Sequence, residues 1–418
     1  MSVLSHYLKV TVLLGSAVVG MVRENPRLFR KKVLQRVSEF SYWPRFVPKK
    51  TYLLSEEGTL AAQLYRIGSF SELFELGSQQ RKLSRSEKRL INLATDRQTL
   101  LNREVPQREK TRAISSGLST PHPRVMFLIT NSLPFTYSGY TFRTHALLKA
   151  LRATGTQVFP ITRLAYPLVV GKFPQRDSDS IGGVTYRRML PLLYPMGLLE
   201  RHKMSVKYLV KFARAHKIDI IHTTTDYNNA LMVAEAASEL GIPWVYEIRG
   251  ELENTWLSKQ TQEERERARN SDFYRSARNA ENMCMASADA VIALSRVSKS
   301  QLESRGINRE KIWVVPNAAD VGDVEAQRSK TNLRAELGIK DCPTVGTITS
   351  VVGYEGLDTL VHAAAKVSNL QVVIVGEGEA RRTLEELAKK LNVESRIRFV
   401  GRKPNEDIWK WYSSLDAF

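Results

Sequence analysis

Between Pro123 and Arg163 the pattern of apolar and polar positions changes period twice. Arg124–Thr130 is a run of Val, Met, Phe, Leu and Ile long enough for one buried strand. Asn131–Gly139 contains Pro134, Ser138 and Gly139 and reads as a loop. In Thr141–Ala153, Phe142, Ala146, Leu147, Ala150 and Leu151 fall at helical spacing. Gly155 ends that helix, and Gln157–Thr162 is strand-like again. The unit is strand–loop–helix–strand, the opening of a Rossmann-like domain. A loop entering a helix N-terminus offers free amides and the positive end of the helix dipole, which suit a phosphate or a sugar hydroxyl. The loop has no GxGxxG and no Walker lysine, so an ordinary tight turn fits it as well.

The alternation continues. Strands are expected at Val184–Met189, Asp219–Thr224, Trp244–Arg249, Ala290–Ser295 and Ile312–Pro316. Helices are expected at Arg201–His216, Asn228–Leu240 and Ser298–Ser304, with one long charged helix over Glu263–Ala286. A second series follows: helix Thr331–Leu337, strand Thr344–Ser350, helix Leu357–Lys366, strand Leu370–Gly376, helix Ala380–Leu391, strand Arg396–Val400 and helix Asn405–Ser414. Leu415–Phe418 reads as the beginning of one more strand. Such alternation predicts an α/β protein with parallel sheets covered on both faces, whose ligands sit beyond the carboxyl ends of the strands. In the first series the polar candidates there are Ser138, Gly139, Tyr140, His222, Asp226, Arg249, Glu251, Ser295 and Asn317. Structural alternatives stand beside these roles. His222 fits a satisfied strand-end histidine, and Arg249 and Glu251 fit a surface ion pair. His145 fits the solvent face of its helix, and Asp320 fits a helix cap.

The first 120 residues have a different pattern. Val10–Val22 is almost wholly apolar, and Arg23, Arg27, Arg30, Lys31, Lys32 and Arg36 follow at once. Three readings are open: a membrane anchor or interfacial helix, a helix packed on its own protein, or a signal peptide. Gly58–Tyr65 and Phe70–Leu76 look like one helical hairpin without a second copy at repeat spacing. Gln79–Arg112 is basic and mostly helical, and Ile114–Pro123 is a linker. The expected division is 1–22, 23–120, 121–320 and 321–418.

Charge adds a partner class. The net charge is +19, and residues 1–120 hold 21 Lys and Arg against 10 Asp and Glu. An excess so placed suits an anionic surface. No homeodomain, zinc-finger or RNP-like pattern is present, which favours lipid over nucleic acid. Cys284 and Cys342 form neither a metal motif nor a disulfide framework, which suits a reducing, cytoplasmic setting.

Five stretches together resemble the nucleotide-sugar glycosyltransferases of family 4: SGYTFRTHALLKAL; DIIHTT with WVYEIRGELE; ADAVIALSRVSKSQL; KIWVVPNAAD; and the series from VGTITSVVGYEGLDTLVHAAAKV through VVIVGEGEARRTLEELAKKL to IRFVGRKPNEDIWKWYSSLDAF. They cover about residues 122–418 in the family's order. The resemblance implies two Rossmann-like doubly wound domains (GT-B), preceded here by the helical N-terminal region, and retention of anomeric configuration. It implies a UDP- or GDP-linked sugar as donor, with no cofactor and no metal; the basic N-terminal part suits a lipid-linked or polysaccharide acceptor at the inner face of the plasma membrane. Ser138 and Gly139 would approach the ligand with backbone amides, beside Tyr140 and Asn317. His222 would lie near the transferred sugar, and Arg249 and Glu251 would line the acceptor side. Ser350 and Glu355 stand where many members have an Arg and a Lys for the diphosphate. Gly376 and Gly378 would leave room for the nucleotide, and Val400 to Arg402 would border the base. The paired glutamates E-x7-E would come after Phe418, leaving the second domain incomplete and making reading the coding frame beyond it the cheapest check. A catalytically degenerate binding subunit and a nucleotide-sugar epimerase are the alternatives.

Overall fold

The computed structural model describes residues 3–24, 59–79, 81–106, 121–318, 329–404 and 407–418. The chain forms two compact units, Met1–Asn317 and Ala318–Phe418. Asp320, residues 114–120 of the expected linker and residues 107–112 of the expected basic helical stretch lie outside the described residues.

In the first unit eight strands form one sheet: β1 (Arg124–Ile129), β2 (Gln157–Thr162), β3 (Ser178–Ile181), β4 (Val184–Arg188), β5 (Ile220–Thr224), β6 (Trp244–Ile248), β7 (Ala290–Ala293) and β8 (Ile312–Val314). Their order is β3-β4-β2-β1-β5-β6-β7-β8, and every pairing is parallel except the β3–β4 hairpin. β1 alternates strictly: Met126 and Leu128 enter the larger core, while Val125, Phe127 and Ile129 enter a smaller one on the opposite face. Helix α5 (Gly139–Ala153) covers the smaller core through Phe142, Leu147, Leu148 and Leu151. Helices α6 (Leu198–His216), α7 (Tyr227–Leu240) and α10 (Asp272–Ser287) cover the larger one. Strand order reverses between β1 and β5, the place where open α/β sheets receive ligands.

Two expectations are corrected. The long helix over Glu263–Ala286 is two helices, α9 (Gln262–Arg269) and α10, because the Ser271 side chain caps a new start by accepting from the Tyr274 amide. Strand β3 was not expected; Gly182 and Gly183, both at positive φ, turn it into β4.

The N-terminal helices α2 (Leu60–Ile67), α3 (Phe70–Ser78) and α4 (Arg85–Leu101) form the expected hairpin and basic helix. They share the larger core of the sheet through Ala61, Leu64, Phe70, Leu73, Leu90, Ala94 and Leu101, so they are not a body of their own. Arg267 reaches Glu72 at 2.6 Å from α9, and Arg66 pairs with Glu264. Helix α1 (Val3–Glu24) also packs on the first unit, inserting Val10 and Leu13 against Ala165, Leu168 and Leu190. Among the described residues no helix is long and apolar enough to cross a membrane.

The second unit has a parallel sheet of β9 (Thr344–Ile348), β10 (Gln371–Val375) and β11 (Ile397–Gly401), in the order β11-β10-β9. Helices α13 (Leu357–Lys366) and α14 (Arg381–Lys390) pack on one face; α12 (Lys330–Leu337) and α15 (Ile408–Ser414) pack on the other. This is a doubly wound arrangement. Ala417 bridges Val345 in parallel, the strand-like start expected at Leu415–Phe418. Asp416 secures it by accepting from the Thr344 amide at 2.7 Å and from Arg334 at 2.6 Å.

Candidate active site

The polar centre of the first unit is the side chain of Glu247, fully buried near the end of β6. Strand periodicity puts Glu247 and Arg249 on the sheet face that α5 covers, opposite Trp244, Tyr246 and Ile248 in the larger core. One Glu247 oxygen accepts from Arg143 Nε at 2.7 Å, and the other accepts from Arg249 Nη2 at 2.7 Å. His222 Nε2 lies 3.5 Å from the second oxygen, too long for a strong bond, and its ring stacks on Phe127 at 4.5 Å. Burial would raise the Glu247 carboxyl, but the nearby His222 ring and the bonded, charged Arg249 outweigh it and hold the group well below the usual carboxylate range. The carboxylate is therefore ionised and flanked by two guanidinium groups.

Arg249 is nearly buried and does not form the surface pair with Glu251. It also donates to Tyr140 O at 3.0 Å and to Thr144 Oγ1 at 2.7 Å, which locks α5 to the strand end. Arg143 goes further: it donates to Val315 O, Pro316 O and Asn317 Oδ1, each at 2.9 Å. Asn317 therefore joins the cluster through Arg143, a residue sequence reading missed. The overlooked signal was Glu247 itself, an acid two residues before Arg249 on the same face of an apolar strand.

The other candidates fall in different places. Ser138 caps α5: its hydroxyl accepts from the Thr141 amide and its amide donates to Thr141 Oγ1 at 2.8 Å, so that amide is engaged within the cap. The amides of Gly139 and Tyr140 have no hydrogen bond among the described residues, and a Cβ at Gly139 would meet open space. Glu251 lies outside the cluster, accepting from Arg305 at 3.0 Å and from Asn254. Asp226 and Ser295 cap α7 and α11 (Arg296–Ser304). His145 bonds Tyr186 at 2.7 Å through Nδ1 instead of facing solvent alone.

In the second unit Ser350, Glu355 and Arg402 are exposed and Val400 is half-buried. The reason for two glycines is corrected. A Cβ at Gly376 would lie 1.8 Å from Thr349 O, and one at Gly378 would lie 2.0 Å from Val351 O. The space these glycines leave is filled by the backbone of the preceding loop, to which Val351 N and Ala380 N add hydrogen bonds at 3.1 and 3.0 Å with Glu377 O and Val351 O. Free amides remain at the start of α13, where Leu357 and Asp358 have no hydrogen bond among the described residues. Among the described residues no group of three or more His, Cys, Asp or Glu is placed to hold a metal.

The sequence matches two family descriptions: "Glycosyl transferase 4-like domain" over residues 138–318 and "Glycosyl transferases group 1" over residues 329–418. The chain belongs to the family 4 glycosyltransferases. It is 29% identical over 131 residues to the lipopolysaccharide core biosynthesis glycosyltransferase LpsE of Rhizobium meliloti, a stretch covering 31% of this chain and 36% of LpsE. It is 24% identical over 220 residues to alpha-monoglucosyldiacylglycerol synthase of Streptococcus pneumoniae, covering 50% of this chain and 48% of that protein. Against these two curated relatives the chain thus spans between about a third and a half of their length. Among solved structures, sucrose-phosphate synthase from Thermosynechococcus elongatus superimposes with a TM-score of 0.56 at 20% identity, covering 70% of this chain and 74% of the other. Anabaena HepE in complex with UDP and glucose gives 0.52 at 19% identity, covering 71% and 73%. These likenesses establish the GT-B fold of this glycosyltransferase.

Proposed function

We propose that this glycosyltransferase moves a hexose, with retention, from a UDP- or GDP-linked donor to a lipid-linked or polysaccharide acceptor in assembly of cell-envelope polysaccharide or lipopolysaccharide. It would work at the cytoplasmic face of the membrane. The observation that carries this reading is the Glu247–Arg249–His222–Arg143 cluster beside the strand reversal of the first unit, in a chain of this family. LpsE is named for lipopolysaccharide core biosynthesis, the pneumococcal relative makes a glycolipid, and HepE was solved with UDP and glucose.

In the reaction the anomeric carbon–oxygen bond to the diphosphate breaks while a bond to the acceptor oxygen forms, and the acceptor proton is released. Negative charge grows on the leaving diphosphate, and helix-start amides such as those of Leu357 and Asp358 suit it. His222, stacked on the Phe127 ring with its Nε2 unpartnered 3.5 Å from the Glu247 carboxylate, serves as a fixed hydrogen-bonding group for the sugar.

The test is release of nucleoside diphosphate from UDP- and GDP-hexoses, with and without lipid-linked acceptor extracted from membranes. Acceptor-stimulated release, lost about a hundredfold in His222→Ala, is expected. Release indifferent to acceptor would refute the acceptor class, and an epimerised nucleotide sugar formed without acceptor would point to the epimerase. One observation favours a second reading, the degenerate binding subunit: Ser350 and Glu355 stand exposed where an Arg and a Lys are usual for the diphosphate. Nucleotide binding without turnover would select it.

A further inference from the structure

Helix α1 is apolar on two opposite faces, and the first unit accounts for one of them. The inner face runs His6, Val10, Leu13, Ala17 and Gly20, all buried, at helical spacing. The outer face runs Leu8, Val12, Gly15 and Val19 at the same spacing, and it is exposed; Leu8 is 68% and Val19 55% accessible. Tyr7 extends this face by stacking on exposed Phe173 at 5.9 Å. Leu192 and Leu193, 63% and 57% accessible, adjoin Tyr194, whose amide donates to Ser16 Oγ of α1 at 2.9 Å. A soluble surface rarely gathers so many large apolar side chains without a partner.

We infer that the outer face of α1, with Phe173, Leu192 and Leu193, is a docking surface for an anionic lipid bilayer. Charge decides the occupant. Residues 3–22 contain no acid, and residues 23–36 contain six Arg and Lys against the single acid Glu24. Exposed Lys172 and Arg176 flank Phe173. Two such basic copies repel each other, whereas phosphate headgroups attract both the run and the flank. An apolar helix face sunk among the headgroups, with basic residues beside it, is the pattern of an in-plane interfacial helix. Position agrees. The segments α1 rests on, Ala165–Leu168 and Leu190–Tyr194, follow directly from β2 and β4, so this surface lies at the sheet edge where the strands end. The surface does not depend on the catalytic reading.

The experiment is co-sedimentation of the full chain with phosphatidylcholine vesicles, with and without phosphatidylglycerol. Binding that needs phosphatidylglycerol and falls about tenfold or more in Leu8→Glu/Val12→Glu/Val19→Glu is expected. Leu192→Glu/Leu193→Glu, confined to a loop, should reproduce the loss and guards against misfolding of the helix variant. Val12→Trp should be quenched by brominated lipid. The inference is overturned if the wild type stays in the supernatant, or if both charge variants bind as well as it does. It is also overturned if light scattering without lipid shows a dimer that the same variants dissolve, or if a cysteine at Val12 is shielded from a soluble thiol reagent by residues 25–58. Diphosphate release is measured separately, so vesicle binding without turnover would refute the catalytic reading and leave this surface standing.

Discussion

Glu247 is the residue whose removal should be felt most in the first unit. Its buried carboxylate lies between the guanidinium groups of Arg143 and Arg249, and a buried charge stripped of its partner is strongly destabilising. Glu247→Gln should lower the unfolding free energy by about 3 kcal/mol, measured by urea titration. Adding Arg249→Met should cost less than the two changes separately sum to, because they remove opposite members of one pair. A second buried acid behaves in the opposite sense. Glu281 sits beneath the sheet with the Tyr246 hydroxyl 2.9 Å from both its oxygens, and burial pushes its carboxyl up to about 8 from an ordinary 4.5. The folded chain keeps this proton while the unfolded chain releases it near 4.5. Stability therefore declines as pH rises from about 4.5 to about 8, and the decline stops above that. Melting temperatures across this range should show the slope, and Glu281→Gln should remove its part of it. Glu247 left a sequence signal in its spacing from Arg249, but Glu281 left none, and only the fold brings Arg143 and Tyr246 to them.

At the level of elements the alternation of strands and helices was legible nearly throughout, since period-two and period-3.6 burial is written along the chain. What failed was local: a serine able to restart a helix inside a charged stretch, and a short hairpin strand signalled mainly by Gly182-Gly183. The glycines divide in the same way. Gly376→Ala should destabilise the second unit, for its φ is +143° and a Cβ there runs into Thr349 O at 1.8 Å. Gly378→Ala should do likewise against Val351 O. Gly139→Ala meets nothing within 4 Å and should leave the melting temperature within about a degree or two. If Gly139→Ala nonetheless lowers turnover, the free amides at the start of α5 approach a ligand; unchanged turnover would remove them from the site.

For the whole molecule, composition pointed to a basic globular protein and the alternation of strands and helices to an α/β fold, with which family membership agrees. The expected division lists the N-terminal helices as a range of their own; in the fold Leu64, Phe70, Leu73 and Leu90 complete the core under the sheet. Length and charge do not reveal such sharing; complementary apolar faces do, and those are visible only once packed. The seat of α1 on the segments leaving β2 and β4 has one more consequence. A bilayer docked on that helix, as inferred above, would therefore lie beside the carboxyl ends of β2 and β4, so mooring and the tips of these two strands would share one edge of the sheet.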